Sequence, residues 1–400
     1  MRSASLLVLL LGMALTPLAA QDLPAQGTDA TFDVGTWNIE WFGDSDDGPT
    51  NEQLQQDRAA AVIGQSEVDL WCLQEIASTT AFANLLATLG DGYAGVLATD
   101  SGRQRLAYVY KTDVVQNLGT QHVLTEFDFA FAGRPPLQMR ARVLTQTDGA
   151  PTQTDVRALC FHAKAFSDVG SYNRRVDASE ALKNYTDNLA AINTQVMILG
   201  DYNDELGAST SSGRTSPYAN FVEDDGYVFA SADLDASNTP TFCGNSSCSG
   251  GSTLDHIAFT ANLAGPYVES SGDRYDEILS PLGGYTFTVS DHLPVIAQFN
   301  FGLGVSAEDD ATPTRFALDA PFPNPFAEDA TVRFALPSAT PVDLAVFDAL
   351  GRRVATLASG THAAGNHTVM FEGGALPPGL YLVRLIAGDA TATRRLVRVL

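Results

Sequence analysis

The stretch Val196-Met197-Ile198-Leu199-Gly200-Asp201-Tyr202-Asn203 decides the fold. Four consecutive apolar residues suit a short buried strand, and the glycine and polar residues after them end it. A strand that stops in an acid and an amide delivers both side chains from a rigid support to the edge of a sheet. The same grammar recurs along the chain. Thr36-Trp37-Asn38 carries Asn38, Leu70-Trp71-Cys72-Leu73-Gln74-Glu75 carries Glu75, and Leu159-Cys160-Phe161-His162 carries His162. Thr253-Leu254-Asp255 carries Asp255, and Val289-Ser290-Asp291-His292 carries Asp291 and His292.

Working outward, strand-like runs cover residues 32–39, 69–74, 106–110, 156–161, 196–199, 253–259 and 292–299. Phe82, Leu85, Leu86 and Leu89 share one helical face that stops at Gly90, and Leu182, Tyr185, Leu189 and Ile192 share another. Strands in excess of helices predict two packed sheets flanked by helices over residues 31–301, and disfavour a parallel three-layer fold. Residues 302–314, small, acidic and ending near a proline, read as a linker. In residues 315–400 strand-length segments alternate with Gly/Pro turns, beginning at Phe322-Pro323-Asn324-Pro325-Phe326, which predicts a small all-β sandwich. Residues 1–20 run from Arg2 through an apolar stretch, Leu6 to Leu11, to Ala19 and Ala20, the layout of a secretory signal peptide. No segment is long and apolar enough to suit a membrane span.

With 45% apolar residues in 400, a disordered or fibrous chain is excluded. The net charge of −24, with 47 acidic against 23 basic residues, opposes a tight nonspecific nucleic-acid binder, yet a hydrolase that needs a cation at its site can tolerate it. Its only lysines are Lys111, Lys164 and Lys183. Cys243 and Cys248 flank a loop that a short disulfide could staple, whereas Cys72 and Cys160 lie in apolar runs and read as buried free thiols. No Cys/His spacing suits a structural zinc site. Trp37, Trp41 and Trp71 read as packing residues.

Together the strand-end residues supply what cleavage of an anionic phosphodiester requires. Glu75, with Asn38 and Asp291, offers hard oxygen ligands to a cation that would neutralise the phosphate. Asp201, His162 and His292 are candidates for moving protons to and from water and the leaving oxygen. Asp255 is placed to orient His292 and raise its basicity, and Asn203 to donate to a non-bridging oxygen. His256, next to Asp255, belongs on the opposite strand face and reads as core or surface.

The ordered series, most specifically Gly200-Asp201-Tyr202-Asn203 and Ser290-Asp291-His292-Leu293-Pro294, resembles the endonuclease/exonuclease/phosphatase superfamily and its deoxyribonuclease-I-like branch. That resemblance implies a four-layer α/β/β/α sandwich of two packed sheets. It also implies Mg2+ or Mn2+ bound chiefly by Glu75, with Ca2+ as an alternative, and His162 and His292 flanking the phosphate. Arg134, in Phe131-Ala132-Gly133-Arg134-Pro135-Pro136, matches a phosphate-approaching arginine. Where the branch pairs a glutamate with the first histidine, this chain offers Gln104, which shifts weight from His162 to His292 with Asp255. The expected activity is that of a metal-dependent phosphodiesterase, a nuclease on DNA or RNA. A phospholipid, sphingomyelin or small phosphate ester is the alternative substrate, and a non-catalytic surface protein on the same scaffold the second. Residues 315–400 resemble the type A sorting domain of the type IX secretion system, which implies export by that machinery to the medium or cell surface. No further protein partner is expected.

Overall fold

In the computed structural model, residues 22–301 are described except 100–101 and 148–149, and residues 316–399 except 319–320, 322–323, 327–328 and 389. The expected signal peptide (1–20) and linker (302–314) lie outside the described residues. Among the described residues no helix is long and apolar enough to cross a membrane.

The chain runs β1 (Phe32–Phe42), α1 (Glu52–Gln65), β2 (Leu70–Ile76), α2 (Thr79–Leu89), β3 (Tyr93–Leu97), β4 (Arg105–Lys111) and β5 (Val115–His122). It continues through β6 (Leu137–Thr147), β7 (Ala150–His162), α3 (Val169–Ala190), β8 (Gln195–Asp201) and β9 (Tyr227–Phe229) to strands at Asp255–Thr260, Asp273–Arg274 and Val295–Phe299. One six-stranded sheet has the order Asp273–Arg274, Val295–Phe299, β1, β2, β4, β3; the other is β5, β6, β7, β8, Asp255–Thr260, β9. Each sheet contains one parallel pair, β1/β2 and β7/β8, and each pair is joined through a helix, α1 or α3. The remaining neighbours are antiparallel.

Period-two alternation sorts the side chains into layers. Trp37, Ile39, Trp71 and Leu73 face outward onto Val62 and Ile63 of α1 and Phe82 and Leu85 of α2. Phe32, Val34, Leu70 and Cys72 face inward and meet Val156, Ala158, Cys160, Met197, Leu199, Ile257 and Phe259 of the other sheet. Leu159, Phe161, Val196 and Ile198 pack outward on Ala178, Ala181 and Leu182 of α3. The result is the four-layer α/β/β/α sandwich, in which each large apolar side chain taken out of water contributes roughly 1.5–3 kcal/mol. Helix ends follow local chemistry. Asn51 and Asp168 cap α1 and α3 by accepting backbone N–H groups, and Gly90, at φ 82°, ends α2 where the periodicity stops.

Cys72 and Cys160 are not free thiols: they form a disulfide between β2 and β7, with Cα atoms 5.6 Å apart. Both point into the layer between the sheets, so packing brings together two residues that each read as an apolar filler. Cys243 and Cys248 form the second disulfide. The C-terminal unit has a three-stranded and a four-stranded antiparallel sheet around one core that includes Leu318, Val332, Phe334, Leu344, Val383 and Leu396, which is a small β-sandwich.

Candidate active site

Following the inward-facing positions along each strand leads out of the apolar core into a polar cluster. On β1 they are Phe32, Val34, Thr36 and Asn38; on β7 Val156, Ala158, Cys160 and His162; on β8 Met197, Leu199 and Asp201. His162 lies beside Asp201 in the parallel register, and Asp255 lies opposite Asp201 in the antiparallel one. Gln74 Nε2 donates to Thr36 Oγ1 at 3.1 Å where apolar packing gives way to the site.

Simple alternation would turn Glu75 outward, as it does Leu73. Instead Glu75 has φ 63°, a left-handed conformation uncommon for a side-chain-bearing residue, and the pairing of β2 with both neighbours slips there. The kink turns its carboxylate to the site, where Oε1 accepts from Asn38 Nδ2 at 3.2 Å and Oε2 from the Trp41 N–H at 3.1 Å. Glu40, at φ 28°, comes in the same way, and its Oε2 accepts the Asp291 N–H at 3.0 Å. Glu40 is a site residue that the sequence reading passed over. Its spacing of two from Asn38 on one strand was the available signal.

Asn38 uses both ends of its side-chain amide within the cluster. Its carbonyl accepts the Glu40 N–H at 3.1 Å, and its amino group bridges Glu75 and Asp201 Oδ2, the latter at 3.0 Å. The opposite amide orientation would set its oxygen against two carboxylates, so the network itself fixes the assignment. Around Asp201 the two histidines converge: His162 Nε2 lies 3.3 Å and His292 Nε2 3.9 Å from Oδ2. His162 Nε2 is also 3.8 Å from Glu75 Oε1, and His292 Nε2 is 3.9 Å from Asp291 Oδ1. His292 Nδ1 is 2.7 Å from Asp255 Oδ2, which also accepts from Thr241 Oγ1 at 2.7 Å. Asn203, at φ 52°, donates its N–H to Asp201 Oδ1 at 2.8 Å and its side-chain amide to the Ala163 carbonyl at 3.2 Å. Seven of the expected residues thus form one connected network, and Asn203 joins it through Asp201.

The two histidines are driven apart electrostatically. Burial, with Arg134, His292 and Lys164 nearby, holds His162 well below the usual imidazole range. Burial acts in the same sense on His292, but Asp255 and Asp201 outweigh it and raise that ring well above the range. Asp201 is raised to about 7 by its own burial and by Asp255, against the pull of His292. Burial and the charge of Asp291 raise Glu40 to about 7 as well.

Arg134 reaches the site but is held: it donates to Gln104 Oε1 and, at 3.1 Å, to the Ala163 carbonyl. Gln104 therefore serves Arg134, and His162 Nδ1 has no hydrogen-bond partner among the described residues. His256 is core, with Ser231 Oγ at 2.9 Å and the Asp204 carbonyl at 3.2 Å. Trp37 and Trp71 are buried as read, but Trp41 lines a cleft of about 480 Å³ with Glu75, His162, Arg134 and Lys164, and Arg103 lies over its ring.

Two groups could hold a cation. Glu40, Glu75 and Asp291 are hard oxygen donors, the latter two close enough to Glu40 to repel it, and the Asp291 side chain is 35% exposed, which leaves room for water or substrate. Ligand atoms of Asp201, Asp255 and His292 lie within 4.8 Å of one another, with His292 Nδ1 and Asp255 Oδ2 engaged with each other. A divalent ion beside the first group would relieve the part of the Glu40 shift that, after burial, comes from Asp291 and Glu75.

The sequence model of the endonuclease/exonuclease/phosphatase family matches residues 35–292, and that of the secretion system C-terminal sorting domain matches residues 320–399. No curated protein matches the chain by sequence. Among solved structures, an endonuclease/exonuclease/phosphatase from Beutenbergia cavernae is similar at 19% identity and TM-score 0.48, over 92% of this chain and 100% of that one. The APE2 catalytic domain of Xenopus laevis is similar at 13% identity and TM-score 0.49, over 67% and 91%. The human Nocturnin catalytic domain is similar at 16% identity and TM-score 0.44, over 70% and 95%.

Proposed function

The chain belongs to the endonuclease/exonuclease/phosphatase family, whose members hydrolyse phosphoester bonds, and from that premise we propose that it is an exported, divalent-metal-dependent phosphodiesterase acting on nucleic acid. The observation that carries this reading is the meeting, at one end of two sheets, of a carboxylate cluster and a buried Asp255–His292 pair. Glu75, Glu40 and Asp291 would hold Mg2+ or Mn2+, with Ca2+ as an alternative. A cation held by these residues would supply the charge to neutralise phosphate oxygens and polarise the P–O bond.

The protein's own groups do the rest. Asp255 fixes the Nδ1–H tautomer of His292 and stabilises its imidazolium, so Nε2 can donate toward a phosphate oxygen. Asp201, held by Asn38 and the Asn203 N–H, is placed to orient and deprotonate the attacking water. His162 and the Asn203 amide border the same space and supply contacts to non-bridging oxygens, and Arg134 adds a fixed positive charge. Nucleic acid is favoured as substrate because Arg134, Lys164 and Arg174 gather at the cleft although the whole chain is strongly acidic. The sorting domain implies handling by the type IX machinery, and we assign residues 1–20 as the signal peptide, 31–301 as the catalytic unit, 302–314 as the linker and 315–400 as the sorting unit. Purified protein incubated with plasmid, oligonucleotides and Mg2+ should cleave, and excess chelator should stop it. Absence of metal-dependent cleavage of any phosphodiester would sink the proposal.

A further inference from the structure

The cleft that starts at Glu75 and His162 opens toward Lys164, Phe166 and Arg174. Phe166 on this rim and Phe129, which packs on the lining Arg174, are each 73% exposed, among the most exposed large apolar residues described. Each ring is backed by a cation. Lys164 Nζ lies 4.4 Å from the Phe166 ring, and the Arg174 guanidinium lies 4.2 Å from the Phe129 ring. With so much of each residue exposed, the face away from its cation is open to a planar partner.

The rim is built, not loose. Phe166 has φ 79°, a strained conformation for an aromatic residue that persists only where the surroundings enforce it. The enforcing group is Arg175, fully buried, which donates to the carbonyls of Lys164 and Phe166, both at 2.7 Å, and to Asp204 at 2.9 Å. Arg174 Nε holds the Phe129 carbonyl at 2.8 Å. Burial and the neighbouring positive charges of Arg174 and Arg134 lower Lys164, so cations predominate around it and an anion would be welcome.

We propose that Phe129 and Phe166 are a base-stacking platform for single-stranded nucleic acid, with Lys164 and Arg174 meeting its backbone beside the cleavage site. This rests on the phosphodiesterase reading above. Unpaired bases offer free faces to aromatic rings, whereas a duplex keeps its faces stacked internally. A lipid surface fits less well: rings capped by Lys and Arg could enter hydrocarbon only by dragging charge with them.

The test uses the full chain with EDTA, so that binding is read without turnover. Fluorescence anisotropy compares a labelled oligothymidylate with a blunt duplex for wild type, Phe166→Ala, Phe129→Ala and Phe166→Tyr, with thermal melting as the check of fold. Each alanine should weaken single-strand binding about tenfold and duplex binding less than about twofold, and Phe166→Tyr should restore the former. Equal losses on both probes, or none, would overturn the proposal. So would loss of binding to sphingomyelin/phosphatidylserine vesicles in place of loss on the oligonucleotide, which would reassign the rim to membrane. Wild-type hydrolysis of bis(4-nitrophenyl) phosphate separates the two claims. If it persists without strand preference, the platform alone fails; if it is absent, the phosphodiesterase reading fails while the anisotropy result still stands.

Discussion

Replacing Asp255 by asparagine isolates a charge with little change of shape. Asp255 is fully buried, and its Oδ2 accepts from both His292 Nδ1 and Thr241 Oγ1. The Thr241 oxygen itself accepts the Leu254 and Asp255 N–H groups, each at 2.9 Å, so its hydroxyl is committed to donating to Asp255. An asparagine carbonyl can take over both hydrogen bonds, with its amino group where Oδ1 now has no partner among the described residues. What disappears is the negative charge. Unit charges about 4 Å apart at an effective dielectric near 20 attract by about 4 kcal/mol. Allowing for the dipole that asparagine retains, roughly 3 kcal/mol of imidazolium stabilisation is lost, which corresponds to a fall in kcat of about 10²–10³. Steady-state hydrolysis of bis(4-nitrophenyl) phosphate at saturating Mg2+, alongside thermal melting, measures this. A kcat within tenfold of wild type in a normally folded variant would show that the Asp255 charge is not used, and the proposed part of His292 would fall with it.

Glu75→Gln should raise the Mg2+ concentration for half-maximal activity by more than about tenfold without unfolding the protein; an unchanged Mg2+ titration would remove Glu75 from the metal site. Arg175→Met leaves the buried Asp204 without its charged partner and should cost about 3–5 kcal/mol in urea unfolding; a loss below about 1 kcal/mol would contradict the clamp on the Phe166 loop. Burial raises Asp69 to about 6 despite Lys111 at 3.1 Å. Because that lies above its ordinary 3.8, its contribution to stability is fully present below about 3.8 and lost as pH rises through about 6. Asp69→Asn should therefore flatten the fall of Tm between pH 4 and 6, and an unaltered slope would count against it.

What could be read from the sequence is what obeys period two. Asn38, His162, Asp201 and Asp255 continue the inward faces of their strands, so the apolar residues before them already say which way they point. By the same rule His256 belongs to the other face, where it lies. Glu75 was found as a strand-end acid, but the left-handed residue that aims it has no signature in composition, and the same kind of kink hid Glu40. Helix α1 escaped notice because its buried face includes Gln55, Ala59 and Ala60 and so lacks a strong apolar stripe. The roles of Asn38 and Gln104 depend on which neighbours compete for their amides, and that is set only when distant strands meet.

The Cys72–Cys160 bond lies one pleat below Gln74 and His162 and joins strands that carry opposite halves of the site. Asn38 and Glu75 lie on strands of one sheet, and Asp291 and His292 on the segment leading into its Val295–Phe299 strand; His162, Asp201 and Asp255 lie on strands of the other. The sulfur bridge acts as a rivet just behind the jaws of a pair of pliers: sliding or parting of the two sheets is most restricted where a displacement of a fraction of an ångström would do most harm to proton transfer. Such a rivet is durable only in an oxidising compartment, which accords with the export that the C-terminal sorting domain supports.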